Sequence, residues 1–346
     1  MMKKMIWLFL LAALVLAACS EDSEQQGGVH EELLRLTAAT RTPSEAIVNA
    51  GEDYSPIQIY LMSGLQKTEG NFIYDPTMKT WSSTIGVKEL NNYIFGFSPA
   101  TAAAGTISPV TAGATDYSAG AKITLTNMKA VGADDICVVV GVKNSADPND
   151  TPDFGVFAFD KTGGDNSVCL LLDHLFSAID FKIKIGPKYN ELRDIYLKTM
   201  ELRSSLSVTQ AVVTLTANAT GTNPMSITYS QDATTTQSNV VYDYGTDAKS
   251  EGKGLKLTAE GTPFVSYCAP LAGIDEKLTL VCTYDVYNKK GTRVRENCTA
   301  ENRLSGISGM KMERCKKNTV TLTVEPSYLY QLSEDELDNP TITISN

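Results

Sequence analysis

Histidine is nearly missing from this chain: there are two in 346 residues, His30 and His174. Catalysis by an imidazole base and histidine-rich metal sites therefore have little material to work with. None of the seven cysteines forms a C-x-x-C pair, which removes the spacing of zinc ribbons and dithiol redox motifs. No P-loop, dinucleotide fingerprint, H-E-x-x-H or G-x-S-x-G sequence occurs, so neither a phosphate cradle nor a nucleophile elbow can be read. Basic residues are in deficit as well: 30 Lys and Arg against 40 Asp and Glu give a formal charge of −10. That balance argues against nucleic acid and anionic lipid headgroups as partners. The expectation is a protein that is not an enzyme and carries no cofactor and no metal.

The few groups able to do chemistry have plain alternative roles. His174 follows Asp173 in an apolar segment and reads as a hydrogen-bonded core or edge histidine rather than a base. Asp134-Asp135, and Glu334-Asp335-Glu336 with Asp338, read as solvated loop charges, with a glycosidase carboxylate pair as the competing reading. The aspartates between residues 147 and 153 lack the spacing of a calcium loop.

What is present begins at the N-terminus. Lys3 and Lys4 precede an uncharged apolar run over residues 5–18. A helix crossing a hydrocarbon core of about 30 Å needs roughly 20 apolar residues, so this run is the apolar region of a signal peptide and not a membrane span. Leu16-Ala17-Ala18-Cys19 has the form of a lipobox, with cleavage between Ala18 and Cys19 and acylation of the Cys19 thiol. An ordinary A-x-A cleavage site is the competing reading. The polar stretch over residues 20–28 begins directly after Cys19 and has nothing to bury, as a tether should. Several acyl chains, at about 0.8 kcal/mol per buried CH₂, make a firm anchor. Ser20 suits sorting to the outer membrane, which makes the surface of that membrane the expected location.

The body of the chain reads as strands. Leu34, Leu36 and Ala38 alternate with polar neighbours, the period-two pattern of a half-buried strand. Similar segments follow over residues 57–62, 70–74, 92–97, 122–128, 136–142 and 155–159. A second series covers 179–185, 192–202, 212–217, 227–229, 255–258, 262–268, 278–287, 292–295, 319–324 and 341–344. No segment after the signal has sustained helical periodicity. The length suits two domains, so the expected fold is all-β, two tandem antiparallel β-sandwiches over 42–166 and 167–346, after a signal peptide (1–18) and an N-terminal segment (19–41). Cys137 and Cys282 sit in apolar runs and look like core residues; buried thiols are preferred here to a disulfide framework.

Several pieces, in order along the chain, resemble the fimbrillin superfamily, the type V pilus subunits of Gram-negative anaerobes. They are residues 34–41, Gly70-Asn71-Phe72-Ile73-Tyr74 with Trp81, and Tyr93-Ile94-Phe95-Gly96-Phe97-Ser98-Pro99. The series continues with residues 172–181, Tyr284-Asp285-Val286-Tyr287 with Gly291 and Arg295, and residues 324–340. The resemblance implies transthyretin-like sandwiches, no catalysis, and a lipoprotein precursor whose N-terminal strand is removed by a protease cutting after an arginine. On this chain the removable strand is Leu34, Leu36 and Ala38 with their neighbours, and the cut follows Arg41, with Arg35 as the alternative. Other pilus subunits are the implied partners, and the mature protein ends up in a fimbrium. Thr341, Ile342, Thr343 and Ile344, within residues 340–346, are either a strand donated to a neighbour or the last strand of their own domain. The alternative function is a monomeric outer-membrane lipoprotein that binds glycan or host protein through Trp81, Tyr54 or Tyr60.

Overall fold

The computed structural model describes residues 32–41, 55–161, 166–218, 220–245, 252–326, 338 and 340–345. Cys19, Ala18, the tether, Tyr54, Thr42-Pro43 and Glu334-Asp335-Glu336 lie outside the described residues. In chain order the strands are β1 (Glu32–Leu33), β2 (Arg35–Arg41), β3 (Ile57–Ser63), β4 (Gln66–Asp75), β5 (Thr80–Ser83), β6 (Gly86–Val87), β7 (Asn91–Ser98) and β8 (Ala104–Pro109). Next come β9 (Gly120–Thr126), β10 (Val131–Gly132), β11 (Cys137–Asn144), β12 (Ala158–Asp160), β13 (Ser167–His174), β14 (Ser177–Ile185), β15 (Arg193–Ser204) and β16 (Ser207–Thr216). The series ends with β17 (Met225–Asp232), β18 (Gln237–Asp243), β19 (Leu255–Lys256), β20 (Thr262–Cys268), β21 (Leu278–Asn288), β22 (Arg293–Arg303), β23 (Lys317–Pro326) and β24 (Pro340–Ser345). The chain is all-β, as its composition implies.

The largest sheet has the order β2-β13-β11-β7-β3-β4-β5, with β12 added beside β7. Its strands β13, β11, β7 and β3 are apolar on both faces, and the two faces serve different cores. Ile57, Ile59, Leu61, Ile94, Cys137, Val139, Leu170 and Leu172 point into one buried cluster with Leu34, Leu36, Phe72 and Val87. Their alternates Tyr60, Met62, Phe95, Phe97, Val138, Val140 and Leu171 pack on the other side with Ile123, Leu125, Val213 and Leu215. Those last four belong to a second sheet, β17-β16-β9-β8. The period of two in side-chain direction produces this division directly.

A third sheet has the order β10-β20-β14-β23-β24, and a fourth has the order β18-β15-β21-β22. Phe181, Ile183, Val320, Leu322 and Val324 from one share a core with Leu197, Met200, Leu202, Leu280 and Val286 from the other. A tight turn joins β21 to β22: Asn288 Oδ1 accepts hydrogen bonds from the backbone N–H of Lys290 and Thr292, each at 3.0 Å, and Gly291 takes φ +81°.

Three features depart from the sequence reading. Strands pair across residue 166, where the domain boundary is expected. β13 bonds to β11, and β16 bonds to β9 once the chain has passed from β15 in the fourth sheet to β16 in the second. Pairing is not wholly antiparallel either: β2 runs parallel to β13, and β14 runs parallel to β23. Such pairs need a long connection, and here most of a domain lies between the partners. Finally, residues 187–192 form a short helix, α1 (Pro187–Leu192), ahead of β15. Pro187 suits its first turn, where the missing N–H has no helical acceptor to lose.

Two tightly built points hold these layers. Gly120 has φ +112°, and a Cβ there would lie 2.0 Å from the backbone oxygen of Leu215 on the neighbouring strand. Gly120→Ala is therefore expected to cost about 2–3 kcal/mol, as strained φ and a forced backbone shift do together. Urea melts of both proteins measure it; an unchanged midpoint would show that β9 and β16 can separate there at no cost. The second point is Asp173 on β13, 1% exposed. It pairs with Arg314 Nη1, accepts a hydrogen bond from Asn223 Nδ2 at 2.6 Å and faces Cys315 Sγ at 3.1 Å. Burial first, then the nearby Asp173 charge, pushes the Cys315 thiol up to about 12, so it remains an S–H donor to the carboxylate.

Candidate functional site

The candidate site is the free edge of the largest sheet, where β2 lies. Its ladder with β13 runs from Ser167 opposite Arg35, through Cys169 opposite Ala38, to Leu172 opposite Arg41. Alternation decides which side chains hold it. Leu34 and Leu36 are 1% and 7% exposed and enter the core, Arg35 faces solvent, and Ala38 is half-buried. Burying two leucines contributes about 3–6 kcal/mol, most of what holds so short a strand.

Polar contacts fix its position. The N–H of Leu34 donates to the backbone oxygen of Ile85 at 2.8 Å, and that of Arg35 donates to Asn166 at 2.9 Å. Thr37 Oγ1 donates to the backbone oxygen of Ser145 at 2.9 Å. The loop holding Ser145 is itself braced: hydrogen bonds from Lys143 Nζ and Ser145 Oγ hold the Asp150 carboxyl below the usual range. Burial pushes the Cys169 thiol, opposite Ala38, upward, so this cysteine is a poor nucleophile.

On its other side β2 has no hydrogen-bonded strand among the described residues. There the sheet curls round, and its far end, β5, faces β2 across a groove of about 660 Å³. Leu33, Leu34, Leu36 and Thr37 form one wall; Thr80, Trp81 and Ser83 form the other. Trp81 packs against Tyr74, with ring centroids 5.2 Å apart, and against the inner core. The groove is closed at one end, where β1 pairs with β6 (Glu32 opposite Val87, Leu33 opposite Gly86), and open along β2. An edge strand with unpaired backbone groups is a place where another strand can add.

The processing residues expected from sequence fall at distinct places on this strand. Arg41 is its last residue, opposite Leu172. Arg35 lies at its start with its backbone N–H already bonded, which makes it the poorer target. At the other terminus, Thr341, Ile342, Thr343 and Ile344 lie in β24, antiparallel to β23, with Ile342 opposite Val324 and Ile344 opposite Leu322. Ile342 is buried, and Tyr284 Oη donates to the Pro340 backbone oxygen at 3.0 Å. The strand edge at this end is thus filled by the chain's own last residues. Arg193 and Asp338 pair just before it, at 2.8 Å.

Of the aromatics considered as ligand contacts, Tyr60 is 1% exposed and is a core residue, while Trp81 lines the groove. No disulfide joins Cys137, Cys169, Cys268, Cys282, Cys298 or Cys315. His174 is buried, as expected, but so is Asp135, which the sequence reading left in solvent. Asp135 stands two residues before Cys137, and that D-x-C spacing was the available signal.

No family model matches the chain, and no curated protein matches it. Among solved structures it is similar to a candidate cell adhesion protein from Bacteroides uniformis, with 13% identity over 90% of this chain and 94% of that one and a TM-score of 0.41. A second candidate cell adhesion protein, from Bacteroides fragilis, has 10% identity over 91% and 97%, with a TM-score of 0.39. A fimbrial protein from Bacteroides vulgatus has 15% identity over 90% and 97%, with a TM-score of 0.35. These are distant likenesses, and the functional reading below rests on the strands and groove of this chain.

Proposed function

We propose that this chain is a structural and adhesive subunit of a bacterial surface fimbria, delivered as a lipoprotein through Cys19 and assembled by strand exchange once its N-terminal strand is removed. The observation that carries the reading is the position of β2. It is an edge strand whose only ladder is with β13; the residues just before it pair with β6 (Glu32 opposite Val87, Leu33 opposite Gly86), Leu34 and Leu36 are in the core, an open groove lies beside it and Arg41 is at its end. Cutting after Arg41 separates residues 19–41, lipid included, from the rest. The edge of β13 is then left with unpaired N–H and C=O groups above an apolar trough, and a strand from another subunit restores both.

β24 is the candidate donor. Its alternation of Ile342 and Ile344 with Thr341 and Thr343 is what such a trough accepts, and its place at a sheet edge lets it leave without breaking any ladder but its own. Partners on this reading are further copies of the chain or related subunits. A monomeric surface lipoprotein that binds a glycan at Trp81 is the rival.

Treatment of the purified precursor with an arginine-specific protease, followed by electron microscopy and unheated SDS gels, tests the proposal. Cleavage after Arg41 is expected to convert monomers into an SDS-resistant ladder, and deletion of residues 340–346 is expected to abolish the ladder. Monomers that persist after complete cleavage and loss of β2 would leave the monomeric reading standing instead.

A further inference from the structure

Cys137 and His174 are cross-strand partners at the shared end of β11 and β13, and Asp135 reaches the same spot from the loop that precedes β11. All three are buried, and one ligand atom from each lies within 4.8 Å of the other two. His174 Nδ1 is 2.9 and 3.1 Å from the two carboxylate oxygens of Asp135 and 3.5 Å from Cys137 Sγ. A carboxylate and a thiol thus converge on one nitrogen, and the thiol also lies 3.7 Å from the backbone oxygen of Asp135, to which it donates.

A relay from thiol through imidazole to carboxylate needs both ring nitrogens, one for each partner. Here both partners meet Nδ1, and Cys137 is fully buried from any substrate, so the cluster is not a cysteine nucleophile. We propose instead that Asp135, Cys137 and His174 form a structural site for a divalent transition metal, with Zn²⁺ the best match.

Spacing supports this. Ligands at about 2.3 Å (sulfur) and 2.0–2.1 Å (nitrogen) from a tetrahedral zinc stand about 3.5 Å apart. That is the Sγ to Nδ1 separation found. The oxygens are a few tenths of an ångström closer to Nδ1 than a tetrahedron sets, so binding would shift the carboxylate by that much. Charge supports it too. A thiolate, a carboxylate and a neutral imidazole cancel the two charges of the ion, so the loaded site buries no net charge. Binding expels the Cys137 thiol proton to solvent and moves the single proton of neutral His174 from Nδ1 to Nε2, so that Nδ1 can bind; Asp135 would supply one oxygen, and a water the fourth ligand. Nε2 has no hydrogen-bond partner, so the loaded site would leave its N–H unsatisfied, a cost that the metal–ligand bonds must exceed. A surface cavity of about 330 Å³ lined by Gly132, Ala133, Asp134 and Ile136 abuts the loop.

The ion would tie the loop to β11 and β13, the strand that carries β2, but the site stands whether or not the fimbrial reading does. The full chain, purified reduced and equilibrated with Zn²⁺ and then dialysed, is expected to hold one zinc per molecule. Zinc-edge absorption is expected to show one sulfur neighbour beside nitrogen and oxygen. Replacing zinc with Co²⁺ should produce a thiolate-to-cobalt charge-transfer band that Cys137→Ser loses and Cys169→Ser keeps. Folded wild-type protein that retains no zinc, or whose zinc shell contains no sulfur, would overturn the site. The wild-type measurements decide the matter even if Cys137→Ser does not fold.

Discussion

Leu34→Asp is expected to raise the rate of proteolysis after Arg41 about a hundredfold under native conditions. Leu34 is 1% exposed and packs in the inner core of the curled sheet. Replacing it removes about 2–3 kcal/mol of apolar burial and asks a carboxylate to enter the same space, which it avoids by leaving. β2 has its ladder with β13 alone, and only the short β1–β6 pair opens with it, so the rest of the sheet need not open. A shift of about 3 kcal/mol in that local equilibrium multiplies the open population about a hundredfold, since each 1.4 kcal/mol is tenfold. Proteolysis that samples the open state tracks this population. Timed digestion, with hydrogen exchange along residues 167–172, measures it. Equal cleavage rates in wild type and variant would mean that β2 is held by something other than its leucines, and the proposed removal step would lose its physical basis.

Arg314→Leu is expected to lower global stability by about 3 kcal/mol, a fall in Tm of several degrees for a chain of this length. The cost comes from Asp173. The carboxylate is 1% exposed, and without the guanidinium its negative charge keeps the neutral donors Asn223 and Cys315 but loses its cation. Arg314 is 31% exposed, so water recovers part of the loss and the low end of the range for a broken buried pair applies. The double variant Asp173→Asn with Arg314→Leu is expected to regain most of it, because the residue left behind carries no charge. If the single change cost less than about 1 kcal/mol, the pair would be equivalent to an exposed surface ion pair.

The alternation of the sequence was enough to locate most strands. Ile179, Phe181, Ile183 and Ile185 are buried, and their alternates Asp180, Lys182 and Lys184 are not. Leu34 and Leu36 behave likewise at the edge. Where a strand is covered on both faces the pattern loses its meaning: the run from Val168 to Leu172 is apolar throughout and says nothing of which side meets which core. Partners were less legible still. Nothing local in residues 207–216 marks β16 as a strand that returns to β9, because pairing depends on long-range geometry that a period of two does not encode. The Asp135 cluster was missed for a related reason. Two adjacent aspartates after Gly132 look like loop charges, and only the cross-strand register puts His174 beside them.

The parallel register of β2 and β13 also has a mechanical meaning. A pull applied at the Leu34 end, along the strand axis, loads every bond from Arg35 to Arg41 at once, so the ladder resists as a unit in shear. A pull or an invading strand at the Arg41 end works on one pair at a time, beginning with Leu172. While the chain is continuous through Arg41, that end is not free to be peeled. Proteolysis there would leave the composition of the ladder unchanged but convert a shear joint into a zipper.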